Sequence, residues 1–221
     1  MTGKTIPLVL LLLFLLPACI NLKQPYREVH YYTLEYPPPR FPDLKPLPVI
    51  LRVEPFTVSP EYDTDRIVFR NEAYARNTYA YHRWRARPNK LVRDFLARDL
   101  RRSGLFLAVF TGENVGQSDY ALEGSVEDLL EWDQKAQWLA VLTVDVTLLA
   151  SREEDITRRI IFQKTFSARQ PAARKDPQAI AAAMSQAMAS VSGEIIRAVH
   201  AAIAAAPPGE APQPGGSREN P

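Results

Sequence analysis

The chain has 221 residues, 46% of them hydrophobic, and its 27 Lys and Arg against 25 Asp and Glu give a formal net charge of +2. This composition fits one globular domain of ordinary size, and the near-neutral charge gives no reason to expect a nucleic-acid partner. Cys19 is the only cysteine, which excludes an intrachain disulfide framework and a cysteine-based metal site.

Residues 1–18 are predicted to form a signal peptide. Lys4 precedes an apolar run from Ile6 to Leu16 that is about 11 residues long, whereas a helix needs ~20 to cross a bilayer. A run of this length is typical of the hydrophobic region of a secretory signal. The run ends in Leu16, Pro17, Ala18 and Cys19, which together resemble the lipobox of bacterial lipoproteins.

The lipobox resemblance implies cleavage before Cys19 and a covalent lipid on its thiol, with no other cofactor expected. Two or more acyl chains anchor a protein durably, whereas one anchors it weakly. Ile20 and Asn21 follow, and the absence of Asp after the cysteine implies the inner leaflet of the outer membrane, facing the periplasm. Residues 19–29 are predicted to form the lipidated tether.

Residues 30–205 are predicted to form one domain rich in strands. His30–Tyr36 favours a strand and is followed by a proline-rich connector, which must be extended because proline cannot donate to a sheet ladder. Alternation and strand-favouring residues predict further strands over Val49–Phe56, Arg66–Arg70, Asn77–His82, Phe106–Phe110, Tyr120–Trp132, Ala136–Ser151 and Ile156–Arg169. The last four are interpreted as consecutive antiparallel hairpins.

Two helices are predicted. The first runs from Pro88 to Ser103, with Gly104 as its C-terminal cap. The second begins at Asp176-Pro177 and carries apolar residues at helical spacing as far as Ile203. Its length predicts that its C-terminal end projects or meets a partner. The fold class is therefore α+β, an antiparallel sheet with two helices on one face, followed by a disordered tail at 206–221 that is rich in Pro and Gly.

Catalytic and metal motifs are not found in the sequence. His30, His82 and His200 lack metal-ligand spacing, and no nucleophile elbow or phosphate loop occurs. Asp63 and Asp65 are interpreted as turn caps rather than as a calcium site. Met184 and Met188 lie at helical spacing and are interpreted as core residues rather than as part of a lipid groove. The sequence therefore predicts no enzyme and no metal site.

Charge is distributed unevenly along the chain. Between Arg66 and Arg102 eleven Lys and Arg stand against three acidic residues. Three interpretations stay open for this stretch, namely contact with anionic lipid headgroups, contact with an acidic partner, and a solvated helix face with its adjoining loop.

Several motifs in this order resemble one known family. They are Tyr31-Tyr32-Thr33-Leu34, Leu51–Phe56, Tyr62–Arg70, Tyr81-His82-Arg83-Trp84 and the long alanine- and methionine-containing C-terminal helix. Together with the lipobox they are similar to the ABC-type transport auxiliary lipoproteins, the PqiC/YmbA-like proteins that accompany MCE-domain (mammalian cell entry) lipid-transport systems. The resemblance covers residues 31–203.

This resemblance implies a non-enzymatic accessory subunit at the outer membrane. Its partners would be an MCE-domain protein and, through it, an inner-membrane ABC permease and ATPase, and a homo-oligomer is compatible with that role. The candidate contact residues are Tyr81, Arg83, Trp84 and Arg85, with the alternative that Trp84 closes the core. The segment before Pro88 is more basic than is common in the family, which implies a partner contact of different charge.

Two other functional classes remain as alternatives. One is an envelope-assembly or pilotin-like lipoprotein that binds a different outer-membrane machine. The other is a lipid-binding carrier or hydrolase, which an enclosed hydrophobic cavity would favour.

Overall fold

The computed structural model describes residues 27–112 and 117–205. The predicted signal peptide, the lipobox residues Leu16, Pro17, Ala18 and Cys19, most of the tether, and the tail at 206–221 lie outside the described residues. The described part forms a curled mixed sheet with helices, so the predicted α+β class is confirmed.

The sheet contains nine strands within the described residues. They are β1 (His30–Tyr32), β2 (Leu47–Val53), β3 (Thr57–Val58), β4 (Arg66–Arg70), β5 (Asn77–Trp84), β6 (Phe106–Phe110), β7 (Tyr120–Asp133), β8 (Trp138–Ala150) and β9 (Ile160–Pro171). Strand β7 is central, because β8 pairs with one edge while β2, β3 and β4 pair in succession with the other. Strand β6 extends the sheet from β2, β5 and β1 extend it from β4, and β9 extends it from β8.

The predicted purely antiparallel sheet is wrong. Strands β2, β3 and β4 all run parallel to β7, and β1 runs parallel to β5. Parallel pairing needs long connections between the paired strands, and the chain between β4 and β7 supplies one that includes a helix. The predicted hairpins β7–β8 and β8–β9 are antiparallel, as expected, but the predicted β6–β7 hairpin is wrong, because β6 pairs in parallel with β2.

Three α-helices occur in the described residues. Helix α1 spans Pro88–Ser103 and ends at Gly104, whose φ of 67° is the left-handed conformation that glycine adopts readily, so this prediction is confirmed. Helix α2 is a single turn over Ile156–Arg159, where a strand was predicted. The Asp155 side chain accepts a hydrogen bond from the Thr157 amide at 2.9 Å and thereby caps this turn. Helix α3 spans Pro177–Ala205.

Helices α1 and α3 pack on the same face of the sheet and close the main core between them. Met184 and Met188 are fully buried in that core, as predicted. The opposite face, called here the helix-free face, carries a smaller apolar cluster of Tyr62, Val68, Leu130, Leu139 and Val141. Helix α3 is long and apolar enough to cross a membrane, but 61% of its most apolar window is buried, as in a core helix.

The C-terminal end of α3 does not project, contrary to expectation. The proline-rich connector between β1 and β2 runs over it and buries Phe41 in the core. Arg197 Nη1 lies 2.8 Å from Asp43 Oδ2, and the His200 ring donates from Nε2 to the Lys45 carbonyl at 2.8 Å. Ile203, near the end of the helix, is only 7% exposed.

Candidate partner-binding surface

The four predicted contact residues are divided between the two faces of the sheet. Trp84 is 1% exposed and belongs to the main core. Alternation along a strand places Arg83 and Tyr81 on the opposite, helix-free face. The prediction that Trp84 contacts a partner is therefore corrected, because its ring closes the core, as the alternative held. Tyr81, Arg83 and Arg85 remain accessible to solvent.

Neighbouring strands add further residues beside Arg83. Tyr31 of β1 and Arg66 of β4 both pair with Arg83 across the sheet, so the three side chains form one row. Tyr31 is 54% exposed and Tyr81 is 38% exposed. The basic-aromatic surface is defined here as the following residues: Arg27, Tyr31, Arg66, Tyr81, Arg83 and Arg85.

Arginines stack on both exposed tyrosines of the basic-aromatic surface. The guanidinium carbon of Arg27 lies 5.4 Å from the Tyr81 ring centroid, and that of Arg85 lies 5.7 Å from the Tyr31 ring centroid. Such contacts are cation–π interactions, which hold each guanidinium over the ring while leaving its edge free to donate. The surface therefore presents ordered arginines.

Asp65, one of the two acidic residues that the sequence offered as turn caps, neutralises one arginine of this surface, and the other, Asp63, pairs with Arg87 beside it. Asp65 Oδ2 lies 3.0 Å from Arg83 Nη1, and Asp63 Oδ1 lies 2.6 Å from Arg87 Nη1. Among the residues that the structure describes, Arg27, Arg66 and Arg85 have no carboxylate within 4.0 Å. The surface is therefore net positive.

A set of stacked rings lies on the core side of β1 and β5. His30 and His82 stack with their ring centroids 5.3 Å apart, and the Tyr32 hydroxyl is 3.0 Å from His82 Nδ1. Burial, and to a lesser degree the neighbouring His30, lower the pKa of His82 below 6.5. This shift favours the neutral form of the His82 imidazole. Sequence reasoning missed this pairing, since the two histidines are far apart in the chain.

The opposite end of the helix-free face is acidic. A depression of about 440 Å³ is lined by polar side chains, including Glu54, Glu123, Ser125, Asp145 and Gln163. Within residues 27–112 and 117–205, no group of three His, Cys, Asp or Glu side chains is placed to hold a metal ion. The chemistry of the depression does not suit an acyl chain.

Comparison with known structures shows the same fold in other proteins. A crystal structure from Xanthomonas campestris, of the family DUF330, is 21% identical, covers 80% of this chain and 97% of its own, and superposes with a TM-score of 0.72. An uncharacterized protein is 15% identical, with coverages of 78% and 99% and a TM-score of 0.61. A hypothetical protein from Chlamydia trachomatis is 10% identical, with coverages of 72% and 99% and a TM-score of 0.50.

No curated protein is significantly similar to the chain. The family described as the ABC-type transport auxiliary lipoprotein component matches residues 32–196, from β1 to the second half of α3. This is a class of membrane-anchored envelope proteins associated with ABC transport and is not an enzyme class. Because the match extends over most of the chain and nearly all of the described domain, the protein belongs to the ABC-type transport auxiliary lipoprotein family.

Proposed function

We propose that this protein is a lipid-anchored auxiliary subunit of an ABC/MCE-type intermembrane lipid-transport system. In this proposal, acyl chains on Cys19 hold the domain at the inner leaflet of the outer membrane, and the domain faces the periplasm. The observation that carries the proposal is the family match over residues 32–196. A role without catalysis agrees with the sequence, which contains no nucleophile elbow or phosphate loop.

The basic-aromatic surface is the proposed docking site for an MCE-domain protein. Exposed tyrosines and arginines contribute most strongly to protein interfaces, because they bury a large area and donate several hydrogen bonds. Tyr81 and Arg85 are accessible, and Arg83 is held in position by Asp65. Trp84 supports this strand from the core side. The complementary surface of the partner is expected to be acidic.

The role of lipid carrier has less support. The main core is closed by fully buried side chains such as Leu148, Met188 and Ile195. The depression on the helix-free face is lined by carboxylates and hydroxyls, which would leave an acyl chain against polar groups. Docking, with lipid carried by the partner, agrees better with these observations.

Crosslinking in intact envelopes tests the docking proposal. The lipidated protein is crosslinked and purified, and its partners are identified by mass spectrometry. The double variant Tyr81→Ala/Arg85→Ala is compared with Arg102→Ala, an exposed arginine at the end of α1. We expect the double variant to recover at least about 10-fold less MCE-domain protein, as for two interface residues of 1 kcal/mol or more each. Arg102→Ala should recover as much as the wild type.

The other results have definite meanings. Recovery of a different outer-membrane machine in place of an MCE-domain protein would refute the proposal and favour the envelope-assembly alternative. Recovery of an MCE-domain protein that is equal in all variants would place docking on another surface. The variant Cys19→Ala should leave the membrane fraction, whatever the partner, and membrane retention of that variant would refute the anchor.

A further inference from the structure

A second group of arginines lies on the helix-free face, separate from the basic-aromatic surface. The ring of Trp132, on β7, has the guanidinium carbon of Arg70 4.5 Å from its centroid and that of Arg169 5.1 Å away. Arg70 pairs with Trp132 on the adjacent strand, while Arg169 reaches toward the ring from β9 across β8. Two strands thus each place a positive charge against one aromatic ring of a third strand.

Neither arginine is neutralised. In the part of the chain that the structure describes, no carboxylate lies within 4.0 Å of Arg70 or Arg169. The Arg70 Nε is buried and has no hydrogen-bond acceptor, although such a donor is costly to leave unsatisfied. The two arginines come from opposite sides of β7, each guanidinium lies against the Trp132 ring, and an anion bound beside the ring would be attracted by both charges.

An apolar patch adjoins the two arginines. Leu139 and Val141 of β8 are 8% and 5% exposed, and Leu130 of β7 pairs with Val141 on the same face. These residues belong to the small cluster against which Trp132 packs.

We propose that Arg70, Trp132 and Arg169 form a binding site for a phosphate ester. Arginine donates two parallel hydrogen bonds to phosphate oxygens, and a tetrahedral phosphate can accept from two guanidiniums at once, whereas one guanidinium already satisfies a carboxylate. A phospholipid headgroup and a free phosphate share this chemistry. The site goes beyond the proposed function, since it uses none of the residues of the basic-aromatic surface.

Titration calorimetry tests this site on the full-length lipidated protein in dodecyl maltoside, with protein-free micelles as the blank. The two probes are dihexanoylphosphatidylglycerol and inorganic phosphate. The variants Arg70→Gln and Arg169→Gln are compared with Arg102→Gln, which removes the same charge from an exposed position on α1. Arg169 is exposed, so its variant is expected to fold even if Arg70→Gln perturbs the strand.

We expect each site variant to weaken binding about 10-fold or more, because a charge-assisted hydrogen-bond pair is lost. Arg102→Gln should bind as the wild type does. Binding of the lipid alone would support a headgroup site, and binding of both probes would support a general phosphate site. Absence of heat from both probes overturns the proposal, as does equal binding by wild type and Arg169→Gln. An equal loss in Arg102→Gln would also overturn it, since attraction would then be nonspecific.

Discussion

Asp99 is expected to be the most sensitive polar residue of the core. It is fully buried, and its Oδ2 accepts hydrogen bonds from the Tyr36 hydroxyl at 2.7 Å and the Ser192 hydroxyl at 2.8 Å. Its Oδ1 accepts from Arg98 Nε at 2.9 Å. One carboxylate therefore joins the connector, α1 and α3. Burial, followed by the Asp99 charge, raises the pKa of Tyr36, so the phenol stays a donor through the ordinary pH range.

The change Asp99→Ala removes both carboxylate oxygens and so all three hydrogen bonds at once. A buried hydroxyl left without a partner costs about 1–3 kcal/mol, and breaking a buried ion pair costs about 3–5 kcal/mol. These figures overlap, and the guanidinium of Arg98 is partly exposed, so water compensates some of the loss. We expect the free energy of unfolding to fall by about 3–4 kcal/mol, a large part of the stability of an ordinary domain.

Urea unfolding, followed by far-ultraviolet circular dichroism, measures this loss. Two milder variants give an internal scale. Tyr36→Phe removes one donor and should cost about 1 kcal/mol. Asp99→Asn keeps an oxygen for both hydroxyls but turns an amide N–H₂ toward Arg98. Its loss in free energy of unfolding should lie between those of the other two variants. If Asp99→Ala costs no more than Tyr36→Phe, the carboxylate does not join the three segments and the reasoning is refuted.

The remaining predictions concern single residues and are all read from urea midpoints. Gly124→Ala should lower the free energy of unfolding by about 1–3 kcal/mol, because an added Cβ would lie 2.5 Å from the Phe56 ring. The control is Gly193→Ala in α3, where the added Cβ would lie 3.8 Å from the Pro39 side chain, and it should raise the free energy of unfolding by about 0.5–1 kcal/mol. The reverse order would contradict the packing. Gly104→Ala should cost about 1 kcal/mol because its φ is 67°, and an unchanged midpoint would contradict this assignment. Burial raises the pKa of Glu131 above 4.5, so its ionised form opposes folding; Glu131→Gln should exceed the wild type in stability at pH 7, by a margin that shrinks as the pH falls toward 4.5. A pH-independent margin would refute that cause.

Local signals in the sequence predicted several elements to the residue. Helix α1 begins at Pro88 and ends before Gly104, because a proline in the first turn and a glycine at the end each satisfy a local backbone requirement. Strands β4 and β6 also have their predicted bounds. The lipobox residues lie outside the described part of the chain, so the anchor stays a prediction. Family membership, which the order of motifs indicated, is confirmed.

Strand order could not be predicted in this way. Pairing of β7 with β2, β3 and β4 joins segments that are distant in sequence, and alternation within a strand does not depend on which neighbour it has. An irregularity in the β4–β5 pairing, between the pairs Arg66↔Arg83 and Val68↔Thr78, also changes which side chains share a face. For that reason the spacing of Tyr79 and Trp84 did not predict on which face of the sheet each side chain lies.

The basic stretch shows why a count of charges does not locate a binding surface. On α1, Lys90 lies 3.0 Å from Asp94, and Arg98 pairs with Asp99. Arg101 of the same helix donates to the Val109 carbonyl at 3.0 Å. These side chains form their contacts within the domain, which agrees with the interpretation of the basic stretch as a helix face with its adjoining loop. Arginines on strands behave differently, because Arg66 and Arg70 lie on the helix-free face with no carboxylate within 4.0 Å among the described residues. Both arginines on β4 are thus available to an external anion, and it is these strand charges that the two proposals assign to ligands.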